Sequence, residues 1–463
     1  MPPLSRLRVS ERNPHQLATE DGQPFFLLGD TAWELFHRLT REEADFYFAN
    51  RAAKGFNLIC AVALAEFDGL RVPNAEGELP LHNLDPRRPN EAYFAGMDAR
   101  IAMAAAHGLY VGLLPTWGDK LTAPWGAGPR IFHLEDPATA REYGLSLGRR
   151  YKDTTNILWV LGGDRPPRLL DISPSWPSPW DAGFTPETDW TPLWRAMAAG
   201  ISEGTEGKAV FAYHPQGGPL STSHFLHNEP WLSINMMQSG HGGGHDAPVW
   251  EWIERDYNLT PIKPTLDAEP NYEDHPVNPW PVFDPANGYF DDYDVRKQCY
   301  RSVFAGGGGV IYGHHAVWQF WDAGRENINH ADRYWRDALD RPGAFQVGYL
   351  RRLLESRPDS VKIPAMSLLA SDAGAGGTRI GVLREENGKY ALIYVPTAGQ
   401  SVTICRDKLA GPRVRAAWFD PRTGQEAEAL GEFPAQGTQT FITPDADPAA
   451  PDWVLTLDCG GGR

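Results

Sequence analysis

The run ILWVLGGD, residues 157–164, decides the architecture. Its five leading residues are all apolar, which leaves no wet face for a half-exposed strand and is too short for a helix. A strand covered on both sides belongs to a parallel sheet with helices over it. The stretch just before it, PATAREYGLSLGRRYKD (137–153), has the apolar spacing of such a helix.

The same alternation extends in both directions. Strands are expected at FFLLG (25–29), NLICAVA (57–63), YVGLLP (110–115), AVFAYH (209–214), WLSINMM (231–237), IKPTLDAE (262–269) and GVIYGHH (309–315). Helices are expected over 41–55, 90–108, 189–204, 247–258 and 291–307, with 217–230 the poorest helical pattern. Gly55, Gly108 and Gly204 stand where a helix C-cap favours a residue without Cβ. Eight strands with alternating helices point to an α/β fold, a closed (β/α)8 TIM barrel. A doubly wound open sheet lacks its marker, because no GxGxxG follows the first strand and AGGGGV (305–310) precedes a strand instead of opening a helix.

After RRLLESRPDS (351–360) the helical period stops. Short alternating runs follow, TRIGVLRE, KYALIYVP, SVTICRD, VRAAWFDP, GTQTFITP and DWVLTLD, separated by ENGK, RTGQ and DPAAP turns. The expected organisation is a barrel over 1–357 and a small antiparallel β-sandwich over 358–463, packed on the barrel as a buttress.

The chain carries a net charge of −16, which argues against nucleic acid or an anionic membrane as partner. No run of about 18 apolar residues offers a membrane span. The N-terminus MPPLSRLRVSERNPHQL has no apolar core of a secretion signal, so a cytoplasmic location is expected unless a leader has been removed. Four scattered cysteines form no metal or disulfide pattern, and Cys60 within an apolar run reads as a small buried hydrophobe. Seventeen tryptophans are more than a core of this size needs, and flat rings suit the C–H faces of sugars.

In such a barrel, chemistry sits at the C-terminal strand ends, and all eight ends are polar or aromatic here. Asp30, Trp33, Glu66, Trp117, Asp119, His214, Gln238, His241, Tyr272, His314 and Trp318 are the candidate substrate contacts. Carboxylates after strands four and seven face each other across the mouth, as double displacement at an anomeric carbon requires. Asp164 is read as general acid/base and Glu269 as nucleophile, with Tyr272 and His241 as donors to Glu269. Asp267, two residues earlier, should point to the same side as Glu269, either as the nucleophile itself or as a brace inside the barrel. His241 and His245 lie in a glycine loop and His314 and His315 are adjacent, so neither pair has metal-ligand spacing, and no metal or other cofactor is expected. Two other readings stay open. One is a metal-dependent barrel hydrolase, which would need HxH where the sequence has DTAW after strand one. The other is a non-catalytic carbohydrate-binding protein.

The segments PFFLLGDTAWELFHRLTREEADFYFANRAAKGFN, AVALAEFDGLRVPNAEGELPL, GLLPTWGDK, WVLGGD, MQSGHG and LDAEPNYED resemble the apiosidase-like glycoside hydrolases of family 140. That resemblance covers residues 10 to 355 strongly and the tail more loosely, where relatives carry a β-domain with a collagen-binding label. It implies a retaining, exo-acting furanosidase with Asp164 as acid/base and Glu269 as nucleophile. It further implies release of β-linked apiose from rhamnogalacturonan-II, a pectin, as a candidate activity. The substrate would be an oligosaccharide or glycoside, imported if the protein is cytoplasmic. The insert SPSWPSPWDAGFTPETDW (173–190) after strand four is expected to reshape the pocket. Nothing in the sequence speaks to oligomeric state.

Overall fold

The computed structural model describes residues 3–122, 128–168, 189–279, 282–357, 360–444 and 451–460. Three short antiparallel strands come first, β1 (Leu7–Val9), β2 (Leu17–Thr19) and β3 (Pro24–Phe25). The sequence pattern did not announce them, because two or three residues are too few to show a period. Leu7 and Leu17 join the cluster inside the barrel, so this small sheet stoppers its N-terminal end.

The barrel strands are β4 (Leu27–Thr31), β5 (Leu58–Val62), β6 (Tyr110–Leu114), β7 (Ile157–Gly162), β8 (Phe211–His214), β9 (Asn235–Met237), β10 (Thr265–Asp267) and β11 (Gly309–Tyr312). Every neighbour pair is parallel, in the order β8-β7-β6-β5-β4-β11-β10-β9. A parallel bridge between Ala212 and Ile234 spans the remaining gap, with the Phe211 carbonyl accepting from the amides of Ser233 and Ile234 at 2.9 and 3.0 Å.

Strand alternation builds two cores. Leu58, Cys60, Val62, Leu158 and Val160 point inward, while Ile59, Ala61, Trp159 and Leu161 point out to the helices. The chief helices are α2 (Arg41–Ala53), α3 (Glu91–Ala106), α4 (Pro137–Arg150), α5 (Thr191–Gly204), α7 (Val249–Tyr257), α8 (Asp292–Phe304) and α11 (Pro342–Glu355). Single turns α1 (Leu35–Arg38), α6 (Ser223–Leu226), α9 (His315–Trp318) and α10 (Trp335–Ala338) complete the set. The weak pattern over 217–230 yields only α6. Gly55 and Gly108 take the left-handed backbone that a C-cap needs. Gly204 does not. It faces Gly148 and Arg149, and a Cβ there or at Gly200 would overlap α4 backbone, so these glycines let α4 and α5 approach closely.

The C-terminal region forms a six-stranded antiparallel sheet and a two-stranded one. The large sheet comprises β12 (Lys362–Pro364), β13 (Gly381–Glu385), β14 (Tyr390–Val395), β16 (Arg413–Asp420), β17 (Gln425–Pro434) and β19 (Trp453–Cys459). β15 (Ser401–Cys405) pairs with β18 (Thr438–Ile442). Val402, Ile404 and Phe441 of the small sheet share a core with Val382, Ile393 and Leu455 of the large one. β17, with glutamates, alanines and a glycine in place of β-branched residues, was not legible as a strand. It is specified by pairing with β16. Residues 445–450 of the DPAAP turn fall outside the described part. Arg296 of α8 forms a bidentate ion pair with buried Asp452 at 2.9 and 2.6 Å, and Tyr300 stacks on Tyr394 at 4.8 Å, joining barrel to sheet. Among the described residues no helix is long and apolar enough to cross a membrane.

Two buried carboxyls brace the barrel. Glu273 accepts from the Tyr312 hydroxyl at 2.6 Å and the Gly343 amide at 3.1 Å, yet burial pushes it up to about 7. Burial likewise lifts Asp267 to about 6. Both groups hold a proton more tightly folded than unfolded, so stability should fall as pH rises from about 4 to about 7. Glu273→Gln, which carries no titrating group, is expected to flatten this slope in urea unfolding measured at pH 5 and pH 7.5. An unchanged slope would remove Glu273 from the explanation.

Candidate active site

The sequence Gly162-Gly163-Asp164 ends β7 with three successive left-handed residues. Gly163 is required there, since a Cβ would strike the Trp117 ring and the Gly118 amide. This tight turn lays the Asp164 amide against His214, whose Nδ1 accepts from it at 3.4 Å. With Nδ1 accepting, the imidazole proton sits on Nε2, 3.1 Å from Glu269 Oε2. One buried imidazole, from the end of β8, thus touches both candidate catalytic residues.

Glu269 is held from two further directions. Gln238 Nε2 donates to Oε1 at 2.9 Å, and His241 Nε2 lies 2.9 Å from the same oxygen. Burial opposes ionisation, but the hydrogen bonds and electrostatic pull of the His214 and His241 N–H groups outweigh it and hold the carboxyl at about 2. Asp164 is shifted the other way. Burial raises it, Arg165 at 3.2 Å opposes, and the Glu269 charge adds to the rise. Its side chain keeps 28% of its surface exposed, so a substrate oxygen can reach it.

Above this pair, Trp33 and Trp117 meet at 5.2 Å, and Trp33 stands edge-on to His214 at 5.3 Å. Glu66 is half-buried. Burial pushes its carboxyl up to about 8, with Arg165 opposing and Asp164 reinforcing. Asp119 is paired with buried Lys120 at 2.8 Å. Trp318 lies 5.4 Å from Phe67. Tyr272 has its ring 4.4 Å from that of His241, and burial together with the Glu269 charge keeps its phenol protonated. Among the described residues, the Trp117 Nε1, Gln238 Oε1 and Tyr272 hydroxyl are buried without a hydrogen-bond partner. Unsatisfied buried polar atoms around one opening are what a polyhydroxylated ligand would satisfy.

Two expected contacts lie elsewhere. Asp30 points outward between sheet and helices, where Tyr47 and Arg51 donate to it at 2.5 and 2.6 Å. His314 caps α9 through Nδ1 and meets Asp274 through Nε2 at 3.0 Å. Both are fully buried, and these contacts commit them to the fold. The expected alternation at Asp267 fails too. β10 ends at that residue, and its carboxylate turns to Ser239 at 2.8 Å and to Ser302 of α8 at 2.6 Å. It braces the outside of the barrel, while the chain beyond the strand end twists Glu269 into the mouth. Residues 169–188, most of the 173–190 insert, lie outside the described residues.

Two further residues support the site without standing at a strand end themselves. Asn271 accepts from the His241 amide at 2.9 Å, holding a non-glycine residue at φ 68°. His275 stacks under His241 at 4.2 Å and 9°. Both lie in EPNYEDH, close enough to Glu269 in the chain to have been suspected.

The family model described as the apiosidase-like catalytic domain matches residues 11–359. The chain belongs to the apiosidase-like family. A second model, for a collagen-binding domain of a collagenase, matches residues 363–458. A solved structure titled glycoside hydrolase is 29% identical, covers 99% of this chain and 98% of its own, and superposes with a TM-score of 0.84. A family 5 glycoside hydrolase from Bacteroides vulgatus ATCC 8482 is 28% identical, with 99% and 93% coverage and the same TM-score. A search of curated proteins finds no match. Barrel, family and neighbours make this apiosidase-like protein a glycoside hydrolase, and its substrate a carbohydrate.

Proposed function

We propose that this apiosidase-like enzyme is a retaining, exo-acting glycosidase that cleaves a furanosidic bond by double displacement. The observation that carries the reading is the shared imidazole: His214 touches Asp164 on one side and Glu269 on the other, and the two carboxyls are shifted in opposite directions. Opposite shifts favour a proton on one carboxyl and a charge on the other, the division of labour that an acid/base and a nucleophile need. Glu269 attacks the anomeric carbon while Asp164 protonates the leaving oxygen. Water, deprotonated by Asp164, then hydrolyses the glycosyl ester. Apiose at the end of a pectic side chain is the proposed sugar, on the strength of family membership.

The test is sugar release from an aryl β-apiofuranoside beside aryl arabinofuranosides, galactofuranosides and pyranosides, with the product anomer read by NMR before mutarotation. Turnover of a furanoside with retention is expected. Turnover of pyranosides alone, or an inverted product, would overturn the sugar class or the mechanism respectively.

A further inference from the structure

At the opposite end of the barrel from Asp164 and Glu269 lies a cavity of about 220 Å³. It sits between the N-terminal strands, the glycine run before β11, the end of α11 and the first strands of the C-terminal sheet. Barrel strands of about five residues put roughly 16 Å between the two ends. Phe25, Leu354 and Leu383 give it apolar walls, and Tyr257 contributes a ring stacked on His15 at 3.6 Å. An apolar cavity of about 150 Å³ already accepts benzene, so this one has room for a ring with a substituent.

Three charged side chains line it, and two are neutralised. Arg357 pairs with both oxygens of Asp458 at 2.8 and 2.6 Å, and Glu355 pairs with Arg351 at 2.8 Å. Lys362 differs. Among the described residues its ammonium reaches only the Arg357 carbonyl and the Ser360 hydroxyl, each at 3.5 Å, and no carboxylate within ion-pair distance. Its cross-strand neighbour Glu385 is occupied by the amides of Asn387 and Lys389 at 2.8 and 3.0 Å. Burial, with the nearby Arg357 charge, draws this amine down to about 8, and the Glu355 charge opposes the shift only in part.

We infer that the cavity is a second binding site, remote from catalysis, for a small carboxylate with an apolar or aromatic body whose carboxyl pairs with Lys362. The apolar walls take the body of the ligand, and its carboxylate pairs directly with the ammonium. Binding should therefore draw a proton onto the amine when the solution is above pH 8.

Benzoate is the probe, with benzamide as its neutral counterpart, titrated calorimetrically into the full chain. Benzoate is expected to bind wild type and Lys362→Arg, and to bind Lys362→Met about tenfold or more weakly, as loss of a charge-assisted hydrogen bond predicts. Benzamide should be weaker by a similar factor in wild type, which tests the idea even if Lys362→Met misfolds. Benzoate binding should also survive Glu269→Gln and show proton uptake at pH 9. Equal affinity for benzoate and benzamide, loss of binding in Glu269→Gln, or absence of benzoate binding would each overturn the proposal.

Discussion

Glu269→Gln should lower turnover of any glycoside this enzyme accepts by several orders of magnitude while leaving substrate affinity nearly intact. The carboxylate acts by forming a bond in the transition state, and an amide of the same shape cannot do so. Steady-state kinetics beside calorimetric binding separates the two effects, and a variant with near-normal kcat would displace Glu269 from the role of nucleophile. The substitution also has a stability signature. A carboxyl held at about 2 in the folded protein contributes stability that is complete above its unfolded value near 4 and is lost as pH falls through 2. Glu269→Gln should therefore be less stable than wild type at pH 7, and the gap should narrow as pH drops from about 4 to 2. A difference independent of pH would mean that packing, not the ionised partnership with His214 and His241, explains the loss.

The barrel was legible because its code is redundant. Runs such as ILWVLGG and NLICAVA are buried on both faces, so each strand announces itself without reference to a partner. The site was legible where it followed the strand-end rule: Glu66, Asp164, His214 and Glu269 all stand at the mouth. It was illegible where direction mattered more than position. Asp30 and Thr31 are adjacent at the end of β4, and alternation sends Asp30 out to Arg51 of α2. His314 was spent on capping α9, a contact two residues along the chain, and on holding Asp274, a tertiary one. Glu269 reaches the mouth only because β10 stops at Asp267, a strand-end twist that no periodicity encodes. The three N-terminal strands and β17 were hidden for a related reason, since their identity comes from the neighbours they pair with.

Asp164→Asn is expected to reveal the second catalytic role through the leaving group. Natural glycosides leave as alkoxides that need a proton, so their hydrolysis should fall by about 10²- to 10⁴-fold, the usual contribution of a general acid. Activated aryl glycosides need no proton to depart, so formation of the glycosyl-enzyme should be nearly spared and its hydrolysis should become limiting. Added azide, a nucleophile that needs no general base, should then restore turnover and yield a glycosyl azide of retained configuration. The wild-type pH profile follows from the same geometry. Activity on natural glycosides should decline as pH rises through the elevated Asp164 value, whereas Glu269 should set no acid limb above about pH 3. Once Glu269 is esterified its negative charge is gone, and with it one of the causes that raise Asp164. The carboxyl then loses its proton more readily, when the second step calls for a base. Equal losses for natural and aryl substrates, without azide rescue, would reduce Asp164 to a binding role and leave the proton donor to be sought at Glu66, a further carboxyl at this mouth, which burial pushes up to about 8.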